Sequence, residues 1–310
     1  MLIATDGGVF RLDGEIRREE GPPAAAYLAT AGRRAFALTR DGALWVRTEA
    51  GAWTLVNPHA IADELWSFAA DPRLEGRLYA GVSPALLHRS DDGGRTWKAC
   101  ESVRRIPGYE RWTFPPPPHV PHVRSIAPDP RAAGAVYIGV EEGGVYRSPD
   151  GGETWESLND GLYWDVHTIA PALDGERLCA TTGAGFHLSE DGGRHWRRIT
   201  AGLDRSYTVP CVVTDHRLYV AAATGPPPTW RDGVDAGLYR SDDGGQRWTR
   251  LDGGLPRRFD TMVNALTVAS GGSVYAAAGG ALWARERAGE HWRLVRDDLP
   301  TIHALTTGPD

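Results

Sequence analysis

Ser148-Pro149-Asp150-Gly151-Gly152-Glu153-Thr154-Trp155 decides the fold, because the chain repeats it three more times. The copies are Ser90-Asp91-Asp92-Gly93-Gly94-Arg95-Thr96-Trp97, Ser189-Glu190-Asp191-Gly192-Gly193-Arg194-His195-Trp196 and Ser241-Asp242-Asp243-Gly244-Gly245-Gln246-Arg247-Trp248. Each follows an alternating segment such as Gly144-Val145-Tyr146-Arg147 and leads into another, such as Trp155-Glu156-Ser157-Leu158. The shared pattern Ser-x-Asp-x-Gly-x-x-Trp predicts the turn of a β-hairpin. Its carboxylate can accept from backbone N–H groups inside the turn, and glycine supplies the positive φ. The Trp opens the returning strand and buries a large apolar face.

The box serines are 58, 41 and 52 residues apart, with a degenerate position at Arg285 another 44 residues on. Units of that length, two of them carrying insertions, match four-stranded propeller blades. Innermost strands are predicted at small apolar runs such as Ser67-Phe68-Ala69, Ser125-Ile126-Ala127, Thr168-Ile169-Ala170 and Ala265-Leu266-Thr267. The blades then fall at residues 24–57, 64–102, 122–161, 165–202, 207–254 and 262–299. Residues 2–19 supply the outer strands of a seventh, and 302–306 its innermost strand. Joining them removes two open sheet edges. The expectation is all-β: one seven-bladed β-propeller over residues 1–310, with four-stranded antiparallel blades closed by its terminal segments.

The repeat resembles the Asp-box, or bacterial neuraminidase repeat, of propellers such as sialidases, xyloglucanases, sortilin-type receptors and photosystem II assembly factors. The resemblance implies that the boxes sit at the blade rim, away from the active face. It implies little about activity, since such propellers include hydrolases and peptide-binding scaffolds alike.

A net charge of -6 argues against a nucleic-acid partner. Cys100, Cys179 and Cys211 lack paired spacing and read as free, buried thiols. No apolar run reaches the length of a membrane span. Met1–Asp6 lacks a basic region and enters a strand at once, so neither a signal peptide nor a membrane association is expected, and a cytoplasmic location is.

Two segments break the repeat, Arg104–His119 and Thr224–Asp232. Connections into an innermost strand, and between second and third strands, emerge opposite the boxes. Both insertions therefore crowd one mouth, where long loops are commonly functional; tolerance of extra residues at a rim is the plain alternative. The first residues of the innermost strands line the same mouth. One aligned position holds Trp66, Arg124, His167, Asn264 and His303, and two residues earlier stand Glu64, His122, Asp165, Tyr207 and Met262.

Converging ionisable groups are the raw material of a small-molecule site. The reading is a soluble, hydrolase-like enzyme acting on a small polar or anionic ligand, glycoside hydrolase-like or metal-assisted. Glu64 or Asp165 would act as general base and His122 or His167 as acid or metal ligand. Arg124, Trp66, Tyr207, Asn264 and Trp230 would bind substrate, with Trp112 and Trp164 as further stacking platforms. His122, His167 and His303 would hold a divalent zinc, iron or manganese ion. Each residue also has a structural reading: histidines bonded to carbonyls, Asp165 capping a turn, Arg124 paired with Glu64 or Asp165. A true sialidase would need three arginines and a Tyr–Glu pair. Arg205, Arg258, Tyr207 and Glu64 would have to complete that set around Arg124, and Arg105-Ile106-Pro107 falls in an insertion. The alternative is a non-catalytic scaffold that binds a protein or peptide at the mouth.

Overall fold

A computed structural model of the chain describes residues 1–172, 176–214, 217–287 and 289–307. Seven four-stranded antiparallel sheets form a closed ring, making an all-β seven-bladed propeller. Blade 1 joins Ile302–Thr306 to Leu2–Thr5, Gly8–Asp13 and Glu15–Arg18. Leu2 stands opposite Thr306, Ile3 opposite Leu305 and Ala4 opposite Ala304, so the two ends of the chain close one sheet. Blades 2 to 7 begin at the innermost strands Tyr27–Ala31, Glu64–Ala70, Val123–Pro128, Val166–Pro171, Tyr207–Val213 and Val263–Val268. Each innermost strand touches the next around the ring. Second strands such as Val136–Val140, Leu178–Thr182 and Leu218–Ala223 are buried along their whole length, since neighbouring blades cover both faces. Among the described residues no helix is long and apolar enough to cross a membrane.

The box turns are built alike. In blade 4, Ser148 Oγ accepts from the Gly152 N–H at 2.7 Å and donates to Asp150 Oδ1 at 2.8 Å. Asp150 in turn accepts from the backbone of Glu153 and Thr154 and from the Thr154 hydroxyl. Asp92, Asp191 and Asp243 accept from the residue four places on in the same way. The second glycine of each box lies against the preceding blade. A Cβ on Gly94 (φ 90°) would lie 1.9 Å from Leu44 Cδ2, and one on Gly152 (φ 98°) 2.8 Å from Cys100 Sγ. The repeat therefore shapes a turn and seats one blade on the next.

A second regularity lies at the opposite ends of the innermost strands. In blades 3, 4, 5, 7 and 1 the ladder shifts by one residue, leaving Trp66, Arg124, His167, Asn264 and His303 as the unpaired residue of a β-bulge. In blade 6 Val209 and Pro210 share the irregularity. Bulges bend a strand and re-aim side chains at rims and sites. The residues aligned in the sequence are thus one structural position, repeated around the axis.

The box carboxylates should carry stability and no function. Burial is the largest single influence on Asp150 and opposes its ionised form, but the bonds from Thr154, Ser148 and Glu153 together outweigh it and bring its carboxyl from 3.8 down to about 2. Because the folded value is depressed, the contribution is complete above the unfolded value and disappears as pH falls through the folded one. Asp150→Ala should cost about 1–2 kcal/mol at neutral pH. Thermal melts from pH 7 to pH 2 should show the variant converging on the parent protein at the acid end; a constant gap at all pH would contradict the assignment.

Candidate functional site

The ionisable groups of the mouth converge between blades 4 and 5, where two strand starts and one turn meet. His122 precedes the innermost strand of blade 4, and Arg124 is its bulged residue. Both donate to one oxygen of Glu141: His122 Nε2 at 2.8 Å and Arg124 Nη1 at 2.6 Å, both to Oε2. Glu141 opens the turn between the second and third strands of blade 4. The amides of Gly143 and Gly144 in this turn donate to the Trp164 carbonyl at 3.1 and 3.0 Å. That clamp sets Asp165, the next residue, beside Glu141. Gly183 fixes it from the other side, donating its N–H to the Asp165 carbonyl at 3.0 Å.

His167 completes the group. Its Nδ1 donates to the Thr208 carbonyl at 2.6 Å, which turns Nε2 toward the carboxylates. Nε2 lies 3.3 Å from Asp165 Oδ1 and 4.0 Å from Glu141 Oε1. Neither His167 Nε2 nor Asp165 Oδ1 makes a hydrogen bond of acceptable geometry among the described residues. The His122 and His167 side chains are fully buried; Glu141, Asp165 and Arg124 are 7%, 15% and 23% exposed. The opening toward solvent therefore runs past Asp165 and Arg124.

Aromatic rings wall the cluster. Trp66 stacks on His122 with centroids 3.4 Å apart, and Phe114, from the first insertion, meets His122 edge-on at 4.7 Å. Tyr207 lies 4.6 Å from His167, and Trp230, from the second insertion, meets Tyr207 edge-on at 5.9 Å. Both insertions thus reach the same cluster.

The charges are tuned by this packing. Burial pushes the His122 imidazole down against the opposing pull of Glu141, so it stays neutral and donates from Nε2. Burial alone would raise Glu141, but the His122 hydrogen bond and the charge of Arg124 outweigh it and hold the carboxyl low. Glu142 behaves oppositely: burial, then the carboxylates of Asp165 and Glu141, push it up. It also sits at φ 50°, a backbone conformation few non-glycine residues adopt. Glu141 and Glu142 stand neither at the aligned strand starts nor in the insertions, the two places where the sequence marks candidates. The adjacent acids of Glu141-Glu142-Gly143-Gly144, in a turn facing the mouth, were the available signal.

Several expected members lie elsewhere. His303 binds Asp6 through Nε2 at 2.6 Å, with Arg40 at Nδ1, beside a cavity of roughly 300 Å³ lined by Pro23, Trp45 and Leu55. It is not among the groups that converge with His167, so the His122–His167–His303 metal set does not form. His122 is also outside that group: its Nε2 is bonded to Glu141 and its ring is sealed under Trp66, so it positions Glu141 and cannot meet a ligand as acid. Asn264 donates its amide to the Ile302 carbonyl at 2.7 Å and ties blade 7 to blade 1. Glu64 is exposed at its strand end, acting on His122 only through its charge. Trp112 is buried in the core and bonded to Tyr146, leaving no platform. The sialidase set fails on geometry. Arg205 is held by Asp204, Asp235 and Tyr239, and burial pushes the Tyr207 hydroxyl up to about 12, away from nucleophilic use.

No known protein-family profile matches the chain. A probable oligoxyloglucan-reducing end-specific xyloglucanase of Neosartorya fischeri is 34% identical over 122 residues, 36% of this chain. The chain spans only 14% of that protein's length. Among solved structures, the GH74 xyloglucanase from Xanthomonas campestris superposes with a TM-score of 0.70 at 16% identity, covering all of this chain and 50% of that one. YCF48 bound to D1 peptide superposes with a TM-score of 0.63 at 18% identity, covering all of this chain and 89% of that one. These likenesses establish the seven-bladed propeller fold.

Glu141→Ala should leave His122 and part of Arg124 without an acceptor, a loss of about 2–3 kcal/mol. Urea unfolding should register it as a lower midpoint with an unchanged slope. A stability equal to the parent protein's would mean that the His122–Glu141–Arg124 contacts are not formed.

Proposed function

We propose that the mouth is the active face of a hydrolase-like enzyme that acts on a small polar or anionic ligand, with a glycosidic bond as the favoured target. The observation that carries the reading is the carboxyl pair Asp165 and Glu142 beside one opening. Asp165 is 15% exposed beside His167, while Glu142 is held toward its protonated form by burial and by its acidic neighbours. Two carboxyls at one opening, one of them pushed toward the acid form, are what glycoside hydrolysis requires. Asp165 would take a proton from the attacking water, and Glu142 would give one to the leaving oxygen. Arg124 would hold an anionic or carbonyl group of the ligand, a contact its planar fork suits. Trp66 and Trp230 wall the same opening through His122 and Tyr207. A curated relative over part of the chain, a xyloglucanase by name, supports the same direction.

A panel of aryl glycosides, neutral and carboxylate-bearing, tests this. Glu142→Gln should lower turnover of poor leaving groups by about 100-fold or more and spare nitrophenolate leaving groups. Arg124→Ala should raise KM for carboxylate-bearing substrates above all. Failure of the parent protein to hydrolyse any member, with its fold intact, would sink the reading.

One observation favours a second reading, a peptide-binding scaffold. Tyr163 and Trp164 are 44% and 47% exposed beside Asp165, an unusual exposure for large rings. YCF48, which matches this chain over most of both lengths, is described as bound to a peptide. A paired Tyr163→Ser, Trp164→Ser substitution should abolish capture of a peptide array under this reading; it should leave hydrolysis largely intact if the enzyme reading holds.

A further inference from the structure

We propose that Glu141, Asp165 and His167 hold one divalent first-row transition-metal ion, Mn2+ or Zn2+ by donor type, at the floor of the mouth. The proposal deepens the hydrolytic reading and rests on it only for what the ion would do.

Three features carry it. First, one oxygen of each carboxylate and Nε2 of His167 all lie within 4.8 Å of one another. An ion bonded at about 2.0–2.2 Å would separate its donors by about 3–4 Å, so small adjustments close the site. Second, His167 is oriented as metal-binding imidazoles are. Its Nδ1–H is fixed on the Thr208 carbonyl, and the fully buried Nε2 faces the two carboxylates without a hydrogen-bond partner among the described residues. Third, Glu141 has its outer oxygen bonded to His122 and Arg124, which orients the carboxylate and leaves Oε1 on the His167 side.

Without an occupant, three lone-pair-bearing atoms face one another in a buried space. Such an arrangement is costly unless a cation or a proton enters it. Gly183 belongs to the same design. A Cβ there would lie 2.1 Å from Asp165 Oδ2, so only glycine lets this carboxylate sit in the group. Imidazole with two carboxylates suits Mn2+ or Zn2+ and offers too few oxygens for Ca2+. Three protein donors leave coordination positions open toward the mouth. A water bound there would lose a proton near neutral pH and take over the base role from the bare Asp165 carboxylate.

The competing occupant is a proton on His167 Nε2, shared with Asp165. Calorimetric titration of the whole, EDTA-treated chain with zinc chloride, and separately manganese chloride, decides between them, with calcium chloride as control. The expected result is one equivalent of Zn2+ or Mn2+ per chain, bound at least tenfold more tightly than Ca2+. Asp165→Asn should weaken binding at least tenfold without lowering the melting temperature measured in EDTA. Gly183→Ala removes no donor, yet should weaken binding comparably by displacing Asp165. The proposal is overturned if neither ion binds saturably, or if binding survives both substitutions unchanged. A protein that binds no ion but loses hydrolysis on Asp165→Asn overturns the metal and keeps the hydrolytic reading. One bound equivalent with no hydrolysis of any substrate supports the metal and overturns that reading.

Discussion

The site depends on one backbone irregularity, the β-bulge at the start of the innermost strands. A regular ladder would keep strict alternation to the end of each strand, and the blades' tight packing would bury whatever faced a neighbour. The extra residue in blades 4 and 5 bends the strand ends at Arg124 and His167. His122 and Arg124 then meet on Glu141, and Asp165 and His167 meet each other. Because the bulge recurs in blades 3, 4, 5, 7 and 1, each of these offers a position that can hold a functional side chain without disturbing the sheet. Blades 4 and 5 fill it with ionisable groups that converge, and blade 3 with the Trp66 ring that stacks on His122.

The two faces of the ring divide the work. On one, the four Ser-x-Asp-x-Gly turns seat blades 3 to 6 on the blade before through glycines that leave little or no room for a Cβ. On the other, the same chain tolerates buried ionisable groups, insertions and a strained Glu142. Fully buried His122 and His167 carry a desolvation cost. Rigid packing beneath the mouth is what allows that cost to persist.

Much of this was legible in the sequence, for physical reasons. The repeated turn chemistry, the blade spacing and the incomplete terminal blade sufficed for a closed seven-bladed ring. Aligning the apolar runs brought Arg124 and His167 into register, and the bulge explains why that register is real. What was not legible required the third dimension. Glu141 is the acceptor on which the cluster turns, but it lies in a turn between strands, outside the aligned position. His303 and Asn264 share the aligned position, yet neighbouring groups take them up: Asp6 binds His303, and the Ile302 carbonyl accepts from Asn264. Equivalence of position does not make equivalence of role. Trp112 looked like a platform because aromatic insertions often are, but the 3-10 turns around it fold its indole into the core.

The central claim is that the lone pairs of His167, Asp165 and Glu141 are directed at something the protein itself does not supply. A crystal structure at atomic resolution, with anomalous-scattering data collected at the manganese and zinc edges, tests it most directly. The account predicts one anomalous peak about 2.0–2.2 Å from His167 Nε2 and the two carboxylate oxygens, with solvent completing its coordination toward the mouth. A direct His167–Asp165 hydrogen bond, with no third atom between them, would contradict it.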